Sequence, residues 1–239
     1  IMTSPSNHEE TVEYFRQHSF HGLFPSEVSI LPQHQLPVLD PRGGKILRSD
    51  PGHVLFAPDG HGGAIRLLQG ESKRLRDRGI RHIYTHQVDN PLAWIADPEL
   101  LGLHLAESSQ FTSKAVAKTD PEEKVGIFCK VGDRMRVIEY SELGESDRHA
   151  RDENGELSFR AGNIATHVID LDFIAPAGEN EALQLPIHQA RKSVRHWRDG
   201  RWQQAEQPNS VRFETFIFDV LPLCQRALVV EADRELEFA

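Results

Sequence analysis

Residues 54–63 constrain this chain more than any other stretch. Val54-Leu55-Phe56-Ala57 is followed at once by Pro58-Asp59-Gly60-His61-Gly62-Gly63. Four apolar residues bounded by a proline read as a buried strand, and three glycines within four positions read as a loop made almost wholly of backbone. Glycine permits positive φ and close approach, so the N–H and C=O groups of Gly60, Gly62 and Gly63 can face a ligand edge with no Cβ intervening. A tight strand-to-helix turn explains the same letters equally well, because 64–78 has a helical pattern ending at Gly79.

The surrounding segments choose the architecture. Asn7 or Ser6, with Glu9 and Glu10 behind it, can cap a helix carrying Val12, Phe15 and Phe20 on its inner side. Short strands are predicted over 28–31, 45–47 and 54–57, then a longer one over 80–88 stopped by Asp89-Asn90-Pro91. A short helix, a second helix over 97–109 and a strand over 113–118 follow. Strand, helix, strand, helix in that order makes an α/β fold: a mostly parallel mixed sheet flanked by helices. Residues 126–131 and 135–140 form a hairpin added to that sheet. The charged stretch 141–157 is a solvated excursion with some helix, and 159–173 returns to the core. Residues 186–195 read as helical, 197–209 as a polar turn region, 213–223 as helical or extended, and 227–231 as a last strand.

Composition excludes several classes. The chain has 239 residues and a net charge of -9, which argues against a general nucleic-acid surface. No apolar run reaches the roughly 18 residues of a membrane span, and Cys129 and Cys224 lack CxxC spacing, so a cytoplasmic protein with free thiols is expected. Thirteen histidines suggest a metal site. Yet His82 and His86 on one strand would stand about 13 Å apart, too far for one zinc. GxxxxGK[ST], GxSxG and Cys/His nucleophile patterns are absent.

In open α/β sheets ligands gather beyond the carboxyl ends of strands. Asp89 sits at such an end, and a lone carboxylate there suits Mg²⁺, which takes one or two protein oxygens plus substrate phosphates; it could equally cap the next helix. Glu139, where the hairpin leaves the sheet, can accept from hydroxyls or simply be exposed. Asn163 follows Gly162 in an apolar strand and offers both donor and acceptor to a sugar hydroxyl or an amide. Phe216 and Phe218 form either a core stripe or a pocket wall.

Eight blocks then fall in register: Ile1-Met2-Thr3-Ser4, Gln33 ahead of Leu36-Pro37, Ala57-Pro58-Asp59-Gly60-His61-Gly62-Gly63, Val88-Asp89-Asn90, 118–126 (KTDPEEKVG), 137–142 (VIEYSE), 161–165 (AGNIA) and 216–220 (FIFDV). Their order and spacing over the whole chain resemble the UDP-N-acetylhexosamine pyrophosphorylases, within the UDP-glucose pyrophosphorylase type of uridylyltransferase. The resemblance implies a Rossmann-like sheet and a Mg²⁺-dependent reaction of UTP with a sugar 1-phosphate, most simply N-acetylglucosamine 1-phosphate. It further implies that Gln33 and the Gly60 backbone meet the uracil, and that Asp89 meets the ribose or phosphates with the metal. His61, Gly126, Glu139, Asn163, Phe216 and Phe218 would line the sugar pocket.

The chain also departs from that family. His61 replaces the Asn usual in PDGNGG, as in UDP-glucose and broad UDP-sugar pyrophosphorylases, so glucose 1-phosphate is an alternative substrate. His86-Gln87 replaces Tyr-Cys, and Arg160 replaces Asn before Ala161-Gly162-Asn163. The family's GGxGTRLG loop would lie before Ile1 and its phosphate-binding Lys after Phe238. Residues 1–239 are therefore expected to be the central part of one nucleotidyltransferase domain, with negligible transferase activity alone. A nucleotide-sugar binding module without catalysis is the alternative of another class.

Overall fold

A computed structural model describes residues 1–175 and 183–239, which form two compact units. The first comprises residues 1–67 and 184–217, and the second 68–183 and 218–239.

Among the described residues, the first unit is built from two-stranded pairings. Met2–Thr3 runs parallel to Leu31–Pro32, and Gln35–Pro37 is antiparallel to Phe56–Pro58. His188–Lys192 is antiparallel to Ser210–Glu214, and His196–Arg198 to Arg201–Gln203. Leu39 bridges both Ile46 and Val211, while Arg48 bridges Val54 and Trp197, so the short ladders are joined one to the next. Val38, Leu47, Ala57 and Val194 make the core beneath them, with Leu55 packed against it. Asn7 occupies the N-cap of the helix His8–Gln17, with Glu9 and Glu10 in the first turn. Its carboxamide oxygen accepts from the Ser4 N–H at 2.8 Å instead of capping the helix.

The second unit holds a six-stranded sheet centred on Ala161–Asp170. One edge of that strand pairs with Phe111–Ala117, and the other is shared by His82–Thr85 and Ile127–Val131, all antiparallel. Ile127–Val131 continues into the predicted hairpin with Arg134–Ile138. Ala227–Glu231 adds on parallel to Phe111–Ala117. Four strands thus run one way and two run against them, which reconciles the predicted α/β mixed sheet with a largely antiparallel set of direct pairings. Phe111, Ile127, Val168 and Ile169 are fully buried at its centre.

Three local expectations are corrected. The stretch predicted as a helix over 186–195 contains the strand His188–Lys192. The polar turn region of 197–209 contains the second half of a hairpin whose tip is Asp199-Gly200, both at positive φ. After Pro91 there are turns and no helix before Pro98–Ala106.

Candidate functional site

The glycine loop of the first unit packs on the chain's own backbone. Gly62 N–H donates to the Thr215 carbonyl at 2.8 Å, and Thr215 N–H donates to the Asp59 carbonyl at 2.8 Å. A Cβ on Gly60 would lie 2.4 Å from the Thr215 carbonyl oxygen, and one on Gly62 would lie 2.6 Å from Thr215. Gly60 has φ +84°, a conformation that side chains rarely adopt. The glycines are therefore required by the approach of loop to strand.

Gln33 reaches this loop from the stretch between the strands Leu31–Pro32 and Gln35–Pro37. Its Nε2 donates to the Gly60 carbonyl at 3.2 Å and to Asp59 Oδ1 at 3.4 Å. Asp59 is 1% exposed, and its other oxygen takes Arg66 at 3.0 Å. His61 lies against Phe216, with ring centroids 5.2 Å apart, and His188 lies against Phe216 at 4.6 Å. Ile217 N–H donates to His61 Nδ1 at 3.1 Å. A backbone N–H can only donate, so Nδ1 carries the lone pair and Nε2 the proton.

Burial lowers the His61 pKa to about 4, keeping the ring neutral. The unfolded chain then binds a proton that the folded state refuses between the ordinary value of 6.5 and about 4. This contribution to stability is complete above pH 6.5 and is lost as pH falls through that window. Urea unfolding from pH 7.5 to 4 is expected to show a shallower loss for His61→Gln than for the wild type; equal slopes would exclude the assignment.

In the second unit the structure brings Gly126, Glu139 and Asn163 together. Asn163 N–H donates to the Gly126 carbonyl at 2.8 Å, and a Cβ on Gly126 would lie 3.0 Å from Glu139 Oε1. Asn163 Oδ1 accepts from Ala165 N–H at 2.9 Å, beside the irregular register of its strand against Ser113 and Ala115. Ala165 has φ 55° there. The side-chain amide is thereby aimed by its own backbone. Phe218 is 4% exposed and belongs to the core of this unit, the alternative that its alternation with Ile217 left open.

Asp89 is exposed on the loop after His82–Thr85, and that loop is tied down just beyond it. Tyr84 OH donates to the Trp94 carbonyl at 2.5 Å, and Asn90 Nδ2 to the Glu237 carbonyl at 2.8 Å. Asp97 caps the helix Pro98–Ala106 and pairs at 2.6 Å with Lys114, which is 3% exposed and also pairs with Glu237. Burial, reinforced by the charges of Asp97 and Glu237, pushes the Tyr84 phenol up to about 12. A single carboxylate on an anchored loop fits a cation that takes most of its ligands from water and phosphate. No group of three or more His, Cys, Asp or Glu side chains among the described residues could form a protein-only metal cage.

Sequence reasoning gave no site role to Asp59, Arg66, His188 or Lys114. Lys114 carried a usable signal, a lysine inside Phe111-Thr112-Ser113-Lys114-Ala115-Val116, because a buried ammonium needs counter-charges.

The fold agrees with what the chain matches. The family model of UTP–glucose-1-phosphate uridylyltransferase covers residues 1–238, and the chain belongs to that family. It is 35% identical over 247 residues to the UDP-N-acetylglucosamine pyrophosphorylase of Saccharomyces cerevisiae, and 33% identical over 244 residues to a probable UDP-N-acetylglucosamine pyrophosphorylase of Dictyostelium discoideum. All of this chain is covered in both, with 51% and 50% of the relatives, so it spans about half their length. The crystal structure of a putative UDP-N-acetylglucosamine pyrophosphorylase from Entamoeba histolytica superposes with a TM-score of 0.87 at 34% identity, covering 99% of this chain and 59% of that one.

Proposed function

We propose that the protein containing this chain is a uridylyltransferase that makes a UDP-sugar and pyrophosphate from UTP and a sugar 1-phosphate, with N-acetylglucosamine 1-phosphate as the sugar. The observation that carries this reading is the match over the whole chain to relatives bearing that name at 33–35% identity. An oxygen of the sugar phosphate attacks the α-phosphorus of UTP in line. The bond from that phosphorus to the bridging oxygen breaks as the new bond forms, and pyrophosphate leaves with the electron pair. No protein nucleophile is needed, and positioning supplies much of the rate.

Gln33 and the Gly60 backbone hold the uracil. Gly126, Glu139 and Asn163 hold the sugar, with Asn163 presenting an amide already oriented by Ala165. His61, backed by Phe216, offers a neutral ring to the substrate. Asp89 would hold Mg²⁺, which offsets charge on the phosphates when bound. The cytoplasm suits the free thiols Cys129 and Cys224, and among the described residues no helix is long and apolar enough to cross a membrane.

Pyrophosphate release by the full-length protein tests the reading, with N-acetylglucosamine 1-phosphate expected to be turned over faster than glucose 1-phosphate. Faster turnover of glucose 1-phosphate would support the second reading, which rests on His61. Asp89→Ala is expected to reduce kcat/KM by about 10²-fold or more, the scale of losing one strong charge-stabilising contact, and to raise the Mg²⁺ concentration for half-maximal rate. An unchanged Mg²⁺ dependence would remove Asp89 from the metal.

A further inference from the structure

We propose that Asp59 sets the base specificity of the nucleotide site by fixing which way the Gln33 amide faces. The inference rests on the assignment of Gln33 to the uracil edge. A carboxamide has a donor end and an acceptor end of nearly the same shape, so its neighbours decide its orientation. The two neighbours of Gln33 Nε2 are the Gly60 carbonyl at 3.2 Å and the Asp59 carboxylate at 3.4 Å. Both are acceptors only. Turning the amide over would set its oxygen against a carbonyl oxygen and a buried anion.

Asp59 cannot easily move aside to relieve that. It is 1% exposed, its carbonyl takes both the N–H and the hydroxyl of Thr215, and Arg66 holds its second carboxylate oxygen. Gly63 leaves the carboxylate room: a Cβ there would stand 2.7 Å from Asp59 Oδ1. The donor end of Gln33 is thus committed to the protein, and Oε1 is the end available to a base. An acceptor complements the N3–H of uracil. The same oxygen faces a lone pair on N3 of cytosine. Asp59 acts through Gln33 and is a positioning residue.

The test is the ratio of kcat/KM for UTP to that for CTP in the full-length protein. Asp59→Asn keeps the shape but adds an N–H₂ that can donate to Gln33 Oε1, so both amide orientations become available. The ratio is expected to fall by at least about tenfold, chiefly through a rise with CTP, because discrimination here comes from unpaired buried polar groups. Gln33→Ala should also lower the ratio, and adding Asp59→Asn to it should change the ratio no further. A wild-type ratio in Asp59→Asn, or an undiminished effect in the Gln33→Ala background, would overturn the proposal.

If Asp59→Asn does not fold, hydrogen exchange on wild-type protein labelled with ¹⁵N at glutamine decides. The Gln33 side-chain N–H₂ should exchange at least about tenfold more slowly than exposed glutamine amides, and free exchange would overturn the orientation. Should the wild type make no UDP-sugar, calorimetry with UDP and CDP separates the two failures. Preference for UDP that is lost in Asp59→Asn keeps the inference while the catalytic reading falls.

Discussion

Replacing Lys114 with alanine is expected to destabilise the protein by about 3–5 kcal/mol, because it strands two carboxylates, Asp97 and Glu237, in a place where neither reaches water freely. Asp97 is 5% exposed. Burial alone would raise its pKa, but the Lys114 ammonium and the Glu99 N–H outweigh burial and hold it below the ordinary 3.8. A depressed carboxylate contributes stability that is present above its unfolded value and lost as pH falls through its folded one. The wild type should therefore lose this contribution only below about pH 4. Lys114→Ala should instead gain relative stability on acidification, as the stranded Asp97 carboxylate takes up a proton. A triple variant, Lys114→Met with Asp97→Asn and Glu237→Gln, should recover most of the loss, since asparagine still caps the helix and no charge remains buried. Urea unfolding at pH 7 and pH 5 checks all three; a cost below about 1 kcal/mol for Lys114→Ala would mean that the triad is effectively solvated.

The second large effect belongs to Gly60→Ala. A methyl group there would sit 2.4 Å from the Thr215 carbonyl oxygen while the residue is held at φ +84°. Left-handed strain costs about 1–3 kcal/mol and overpacking a similar amount, so a loss of roughly 2–6 kcal/mol is expected. The contact also strains the loop that Gln33 touches, so under the proposed function nucleotide KM should rise as well. Gly70→Ala is the control, since a Cβ there meets nothing within 4 Å on the helix Gly63–Asp77. It should be neutral or stabilising by up to about 1 kcal/mol. Equal behaviour of the two alanines would refute the packing argument.

What could be read in the letters was whatever local chemistry dictates. The strand, glycine loop and helix of 54–78, the hairpin of 126–140 and the last strand at 227–231 each carry their own period and punctuation, and they stand close to where they were placed. His188-Gln189-Ala190-Arg191-Lys192 did not reveal itself, because glutamine, alanine, arginine and lysine favour helix in isolation. Its partner is Ser210–Glu214, some twenty residues on, and pairing overrides propensity. The hairpin at 196–203 did carry a signal. Asp199-Gly200 between Trp197 and Trp202 is the positive-φ dipeptide that two-residue turns demand.

For the site, the resemblance assigned His61, Gly126, Glu139, Asn163, Phe216 and Phe218 to one pocket; among them the structure makes Gly126, Glu139 and Asn163 neighbours and sets His61 against Phe216. Phe218 is buried, and alternation with Ile217 cannot say which face of a segment is covered. Asp59 was hidden by its company. In a motif so rich in glycine it reads as turn chemistry, whereas its buried carboxylate also grips Gln33 from 26 positions away.

The bond from Asn90 to the Glu237 carbonyl spans 147 positions, and that from Lys114 to Glu237 spans 123. On the ribosome, then, the Asp89 loop emerges long before its anchor exists. At 5–20 residues per second the wait is roughly 7–30 s. Through it the Lys114 ammonium has Asp97 but not Glu237, and the edge of Phe111–Ala117 that will receive Ala227–Glu231 stands open. A nascent chain halted before residue 227 should accordingly bind chaperones and be cut by protease at 88–95, and one released after 237 should resist both.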